Sequence, residues 1–457
     1  MFPAASPEAI PAAARPTSST DAIAAWVIVA AYAAAQIALF IGHDPWRDEG
    51  QAWLWAQALS SPAEFFVVPG EGHPPIWFWL LRGLSSFLNF DQARYFTLGV
   101  ALLNAVLLHR LLGRELLLMT LVLCTHVVLQ YWGYHFRPYG LVFTTIIAAL
   151  LLERAGRNVA ATWLLALACG LHFFAGLIFG FWLLVQLQRR TPLRHLAGPA
   201  ILAALFGLSA VLSALGNPEG APTTRKFLEI ITFNLAWPTP WPALRQLPVA
   251  VVTIGLLCYG LWNQKLMLGL LLALMLAFSI GSAVFYGQSP WHSAFLMMLT
   301  FVAFRLAGPN ARQWVLMVLL APQALAGVAV SKERLFEPHW TRPDIYGAVV
   351  ADAGPGFDPS KQLLAWQDFM LTPTAATRGI TYLSGNNGTL LGPVDWRQRI
   401  EDRVDPILGA HPVPYWLVCG KCEPALAVIA AAGLSATELA STVNFDDGPI
   451  AAYRIDR

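Results

Sequence analysis

Two carboxylates and a guanidinium occupy consecutive positions in HDPWRDEGQAW, residues 43–53: Arg47, Asp48 and Glu49. Such a carboxylate pair can supply a general base, a ligand for a metal ion, or both. Three other polar stretches set ionisable groups among aromatic ones. They are EGHPPIWFW with His73, YWGYHFRPYG with His135, Arg137 and Tyr139, and YGQSPWHSAF with His292. Arg137 offers a planar cation suited to a phosphate, and the histidines can donate to phosphate oxygens or ligate a metal. An acidic pair alone reads as a solvated loop, and aromatics alone as an interfacial belt. Ionisable groups gathered at the ends of apolar runs are costly enough to read as functional.

The frame that must position them is a membrane. The chain has 457 residues, of which 56% are hydrophobic and 12% charged, where a soluble protein carries about 25% charge. A soluble fold has no place to bury that excess, and a bilayer does. The net charge of +2 and the lack of a basic-aromatic patch argue against a nucleic-acid partner. Residues 1–21, rich in Ala, Pro and Ser, read as a disordered cytoplasmic tail and not as a cleaved signal.

Apolar runs recur at about 22–41, 92–109, 115–131, 138–152, 159–172, 173–187, 196–215, 247–262, 266–286, 291–306 and 313–330, which predicts about eleven transmembrane helices. With the N-terminus inside, every inner loop is basic: Arg15, then Arg110 and Arg114, Arg154 and Arg157, Arg189, Arg190 and Arg194, Lys265, and Arg305 with Arg312. A further run, HPPIWFWLLRGLSSFLNF at 73–90, would reverse this parity if it crossed. Its aromatics and internal Arg82 fit a helix lying in the outer interface. All four polar stretches then face outward. A carboxylate and cations beside lipid suit a phosphorylated lipid, the cations holding the phosphate while the carboxylate deprotonates an acceptor.

The order WRDEG, HPPIWFWLL, a basic inner loop LLGRE, then RPYGL resembles the GT-C membrane glycosyltransferases. Within them it is most similar in style to polyprenyl-phosphate-sugar users of the protein O-mannosyltransferase and aminoarabinose transferase type. The motifs cover roughly residues 22–187, and the rest agrees only in layout. The resemblance implies an all-α, polytopic, GT-C-like membrane domain over 22–330 whose first outer loop, 42–91, builds the active site. It implies that Asp48 is the catalytic carboxylate and Glu49 its acidic neighbour, which either orients a substrate or caps a local helix. His73, Pro74 and Pro75 match the HPP motif, and Arg137 and Tyr139 match the RPY motif. Arg47, His73, Arg137, Tyr139 and His292 are the implied substrate-binding residues. Arg225 and Lys226 are further candidates for the phosphate, although a solvated loop is their simpler reading. His135 and His172 read as structural.

The reaction implied is a single displacement inverting the anomeric carbon, with a polyprenyl-phosphate sugar as donor and a glycan, lipid or protein as extracytoplasmic acceptor. No acidic residue follows Arg137 where some members place one that helps bind metal, so a divalent metal stays an open question. The implied location is the inner (plasma) membrane.

Residues 331–457 lack a span and carry turn clusters such as DAGPGFDPS. YWLVC and IAAYRID read as strands and EPALAVIAAAG as a helix, predicting a small periplasmic α/β domain. Cys419 and Cys422, in CGKC, can form a disulfide in an oxidising compartment. The rival function is a lipid-linked sugar flippase or transporter. Transporters show broken helices and internal repeats, and no repeat is visible here. A lipid-using acyl- or phosphotransferase would centre on a buried His or a metal cluster.

Overall fold

A computed structural model describes residues 19–68, 70–215, 224–241, 244–285, 289–336, 344–385, 388–394, 407–444 and 448–457. The tail expected at 1–21 lies almost wholly outside the described residues.

Each apolar run forms helix. In chain order these are α1 (Ser19–Ile41), then three short helices, α2 (Arg47–Ala58), α3 (Pro62–Phe66) and α4 (Pro75–Ser85), and α5 (Phe90–Leu112). They are followed by α6 (Leu116–Cys124), α7 (His126–Leu129), α8 (Tyr139–Arg154), α9 (Asn158–Leu171), α10 (Ala175–Gln188) and α11 (Leu193–Ala214). The helical part closes with α12 (Thr224–Leu235), α13 (Leu247–Gly260), α14 (Lys265–Phe285), α15 (Pro290–Ala307) and α16 (Gln313–Phe336). Among the described residues six helices are long and apolar enough to cross a bilayer, or seven if the bent pair at 116–134 counts as one span. Those six are α1, α5, α11, α14, α15 and α16; α8, α9, α10 and α13 are shorter, at 14 to 16 residues.

On α11, Ile201, Leu205, Leu208, Leu212 and Leu215 form an exposed stripe at helical spacing. Such a stripe is a liability in water and is what a lipid-facing helix presents. The chain is a multi-pass membrane protein. In contrast, α15 is buried on nearly every side and runs through the centre of the core.

Ion pairs gather the loops predicted as inner at one end of this layer. Arg189 meets Glu153 at 2.9 Å and Arg305 meets Glu115 at 2.8 Å. Arg154 donates to the Leu111 carbonyl at 2.6 Å.

The 116–134 span is broken, and its halves meet at 61°. Transmembrane backbone freed by a break must find partners inside the protein, and it does. Thr125 Oγ1 caps α7 by accepting from the Val128 N–H at 3.3 Å. Gln36 of α1 donates to the Leu129 carbonyl at 3.0 Å and the Tyr32 hydroxyl donates to that of Val128 at 3.3 Å. A wide helical turn over Gln130–Tyr134 follows, with non-helical backbone at Gly133. On the other side Gly327 lets α16 press on the break, since a Cβ there would meet His126 N at 2.7 Å.

The segment from α2 to α4 does not cross. With 11 residues, α4 reaches about 16 Å, half of a hydrocarbon core of about 30 Å. Pro75 at its start, preceded by extended Pro74, sets its N-terminus. Its Trp77, Phe78 and Leu81 are buried with Ala52, Trp53 and Ala56 of α2.

After α16, which continues past Val330 to Phe336, the chain folds over a six-stranded sheet in the order β3-β2-β1-β4-β6-β5. The strands are β1 (Leu363–Trp366), β2 (Tyr382–Ser384), β3 (Leu390–Leu391), β4 (Tyr415–Cys419), β5 (Ser435–Asn444) and β6 (Gly448–Asp456). β1 pairs parallel with β2 and β4, and the rest pair antiparallel. YWLVC is β4, and the predicted helix is α17 (Glu423–Ala431). Residues alternate across the sheet. Leu364, Trp366, Tyr415, Leu417 and Cys419 pack against Ala425 and Ile429 of α17. Leu363, Ala365, Trp416 and Val418 join the core formed by Trp53, Trp77 and Phe78. The C-terminal unit and the 47–85 segment therefore share one core, on one side of the helical layer. Cys419 and Cys422 form a disulfide at the strand–helix junction.

Candidate active site

Asp48 lies in the first turn of α2, where unpaired backbone N–H groups favour a negative charge. Its side chain is 23% exposed, which leaves it open to a substrate. The Arg137 guanidinium donates to the Asp48 carbonyl at 2.8 Å and lies 3.8 Å from its carboxylate. Arg47, on the other side, is 3.6 Å away. Arg137 is buried and packs beside the rings of Trp46 and Tyr139, at 5.7 and 5.9 Å from their centroids. Burial alone would depress Arg137; the Asp48 carboxylate, with Tyr139 and Glu71, outweighs it and holds the group above its ordinary value.

Arg137 also reaches His73 Nε2, at 3.2 Å. A guanidinium only donates, so Nε2 accepts and the ring proton sits on Nδ1, 2.5 Å from the Glu71 carbonyl. Burial, reinforced by Arg137, lowers the His73 pKa to about 4. His73 is therefore a neutral acceptor that orients Arg137, and both its nitrogens are engaged.

The sequence reading paired Glu49 with Asp48 in catalysis, and the geometry separates them. Glu49 is fully buried, and its oxygens accept the backbone N–H of Trp46 at 2.9 Å and of Phe136 at 2.5 Å. Its Oε2 also lies 3.0 Å from His43 Nε2. Of its two earlier roles, capping the helix is the one seen, together with a tie to the 135–137 loop. One residue along the helix turns this carboxylate about 100° away from that of Asp48.

His172 and His292 stand next to this pair. The His172 ring is 5.3 Å from His73, 5.2 Å from Tyr139 and 5.5 Å from His292, between centroids. It is packed among Phe173, Phe174 and Phe295, as expected of a structural histidine. Yet its Nδ1 accepts from the Phe174 N–H at 3.2 Å, which places its proton on Nε2, and that buried nitrogen has no hydrogen-bond partner. The sequence reading took His172 as packed, which describes its ring, and did not foresee the unpartnered Nε2. His172 lies at the tip of the hairpin between α9 and α10. Tyr139 is fully buried at the start of α8, and His292 is buried in the first turn of α15. Lys226 is exposed near the start of α12; the Arg225 side chain lies outside the described residues.

The remaining polar cluster involves His43, Glu49 and His135. One ligand atom from each lies within 4.8 Å of the others, and Asp48 is not a member. His135 is buried, and both its ring nitrogens lack a hydrogen-bond partner. Burial, with His43 beside it, holds its pKa well below the usual range.

No family model matches the chain, and no curated protein matches it. Among solved structures, it is similar to ArnT from Cupriavidus metallidurans bound to undecaprenyl phosphate. That match has 16% identity and a TM-score of 0.48, covering 95% of this chain and 98% of that one. The apo state of the same protein matches at 18% identity and a TM-score of 0.45, covering 94% and 98%.

Proposed function

We propose that this chain is an inverting membrane glycosyltransferase of GT-C type, moving a sugar from a polyprenyl-phosphate donor to an extracytoplasmic acceptor. The observation that carries this reading is the pair of Asp48 and Arg137: a solvent-reachable carboxylate set against a buried cation, at the outer end of the helical layer. Asp48 takes the proton of an acceptor hydroxyl or amine as that group attacks the anomeric carbon. The bond from that carbon to the phosphate oxygen breaks, and the polyprenyl phosphate leaves with the electron pair. Arg137 balances its charge, and His172 Nε2–H is the neutral donor closest to join it. Arg47 and His292 flank this path, and Tyr139 backs Arg137. The acceptor is a glycan, lipid or protein. In this reading the N-terminus is cytoplasmic and the sheet periplasmic, in the inner membrane.

Asp48→Asn tests the base. Glycans and lipids from cells lacking the gene are compared by mass spectrometry after complementation with wild type or variant. One sugar is expected to return only with wild type. Full restoration by Asp48→Asn sinks the assignment. A lipid-linked sugar flippase is the second reading, favoured by the broken span at 116–134. It predicts build-up of a lipid-linked sugar on the inner leaflet and no dependence on Asp48.

A further inference from the structure

On the face of the first turn of α2 turned away from Asp48, His43, Glu49 and His135 converge from two distant parts of the chain. His43 Nε2 lies 3.0 and 3.2 Å from the two Glu49 oxygens, and His135 Nδ1 lies 3.6 Å from Oε1. Zinc bonds of about 2.0–2.2 Å in tetrahedral geometry set neighbouring ligand atoms about 3.3–3.6 Å apart; the two histidine contacts to Glu49 match this, and all three ligand atoms lie within 4.8 Å of one another. All three residues are buried. Two imidazoles and a single carboxylate suit zinc or a related first-row ion and are poor for magnesium or calcium, which want oxygen donors.

A second observation points the same way. His135 is 1% exposed, and neither ring nitrogen has a hydrogen-bond partner. A buried imidazole with both nitrogens idle is costly, and a cation on Nδ1 relieves it. The Glu49 oxygens are meanwhile steered by the Trp46 and Phe136 N–H groups, the kind of outer support that orients a ligating carboxylate. Two cations oppose a metal here. Arg94 donates to the His43 carbonyl at 2.8 Å, and Arg334 bonds the Tyr134 hydroxyl. Their charge weakens the binding of any divalent cation alike, so the choice of ion rests on the two imidazoles.

We propose that His43, Glu49 and His135 bind a zinc-class divalent cation that fastens the 43–49 segment to the 135–137 loop. Because Asp48 and Arg137 sit on those same two segments, the ion is a positioning device for that pair, not a participant in the chemistry. The positioning role rests on the function proposed above; the binding of metal does not.

The full-length chain, untagged and in detergent, is stripped with chelator, given zinc, and assayed for bound metal and for thermal unfolding. About one zinc per chain is expected in wild type and in Asp48→Asn. It should be lost in His135→Ala and in His43→Gln, with the zinc-dependent rise in Tm lost alongside. Cobalt substitution should give the absorption of a tetrahedral site in wild type only. Wild type without stoichiometric zinc, or His135→Ala retaining it, overturns the site. A chain that binds zinc yet transfers no sugar refutes the proposed function instead and leaves the site standing.

Discussion

Arg137 touches Asp48 twice, once at the backbone carbonyl at 2.8 Å and once, more loosely, at the carboxylate at 3.8 Å. The tight contact is to the group that takes no part in chemistry. Arg137 can therefore hold the loop in place without tying down the Asp48 carboxylate, and its Nε has no hydrogen-bond partner. Arg137→Lys keeps the charge and loses the planar fork. The expected loss is about 3 kcal/mol of transition-state stabilisation, on the order of 100-fold in kcat/KM. Steady-state kinetics with varied lipid-linked donor measures it. An unchanged kcat/KM would remove Arg137 from the donor phosphate.

His73 gives a pH dependence with a definite sign. Its folded pKa of about 4 is below the ordinary 6.5, so the unfolded chain takes up a proton first as pH falls. The stability tied to neutral His73 is complete above 6.5 and drains away as pH falls towards 4. Thermal unfolding of wild type and His73→Gln between those limits reads this out, since glutamine still accepts from Arg137 without titrating. The variant should lose less stability over that window. Parallel curves would mean that the folded chain does not hold His73 buried and neutral.

Much of the scaffold could be read from the chain, and the reasons are local. The apolar runs became helices because bilayer solvation is a matter of composition over about 20 residues. β4 was legible as YWLVC because a strand buried on both faces is apolar without alternation. The site was half legible. Asp48 and Arg137 stood out by charge beside apolar runs, whereas Glu49 stayed divided between orienting a substrate and capping a helix. The two carboxylates differ in which part of the 135–137 loop each one meets: Glu49 takes the Phe136 N–H, 87 residues away, and Asp48 faces the Arg137 guanidinium. His43 lay within the stretch that first drew notice and received no role for the same reason. The docking of Gln51 on Val394, 343 residues apart, leaves no trace in either local sequence.

Sidedness follows from a single label. The Lys361 side chain is 78% exposed on the C-terminal unit. Lys361→Cys should react with a membrane-impermeant maleimide on intact spheroplasts. Background is low because Cys169 is buried, Cys124 and Cys258 sit in apolar helices, and Cys419 and Cys422 are disulfide-bonded. Labelling only after lysis would move the sheet to the cytoplasm. It would carry Asp48 there too, because both belong to one core.

That shared core predicts the outcome at Gly50, two residues beyond Asp48. A Cβ on Gly50 would come within 2.6 Å of Thr372 C, Thr372 O and Pro373 N, all backbone atoms that cannot swing aside. Thr372 also donates its hydroxyl to the Arg47 carbonyl at 2.8 Å, and Gln51 accepts from the Val394 N–H at 2.9 Å. Two effects of Gly50→Ala oppose each other. Alanine gains about 1 kcal/mol of helix propensity within α2, and overpacking costs typically about 1–3 kcal/mol. Immovable backbone puts the cost at the upper end, so net destabilisation of about 1–2 kcal/mol is expected. Transfer should fall further than stability does, because α2 must shift and Asp48 sits in its first turn. Thermal unfolding beside kcat at a permissive temperature separates the two. A variant more stable than wild type would show that the sheet does not press on α2, and the C-terminal unit would lose its part in placing Asp48.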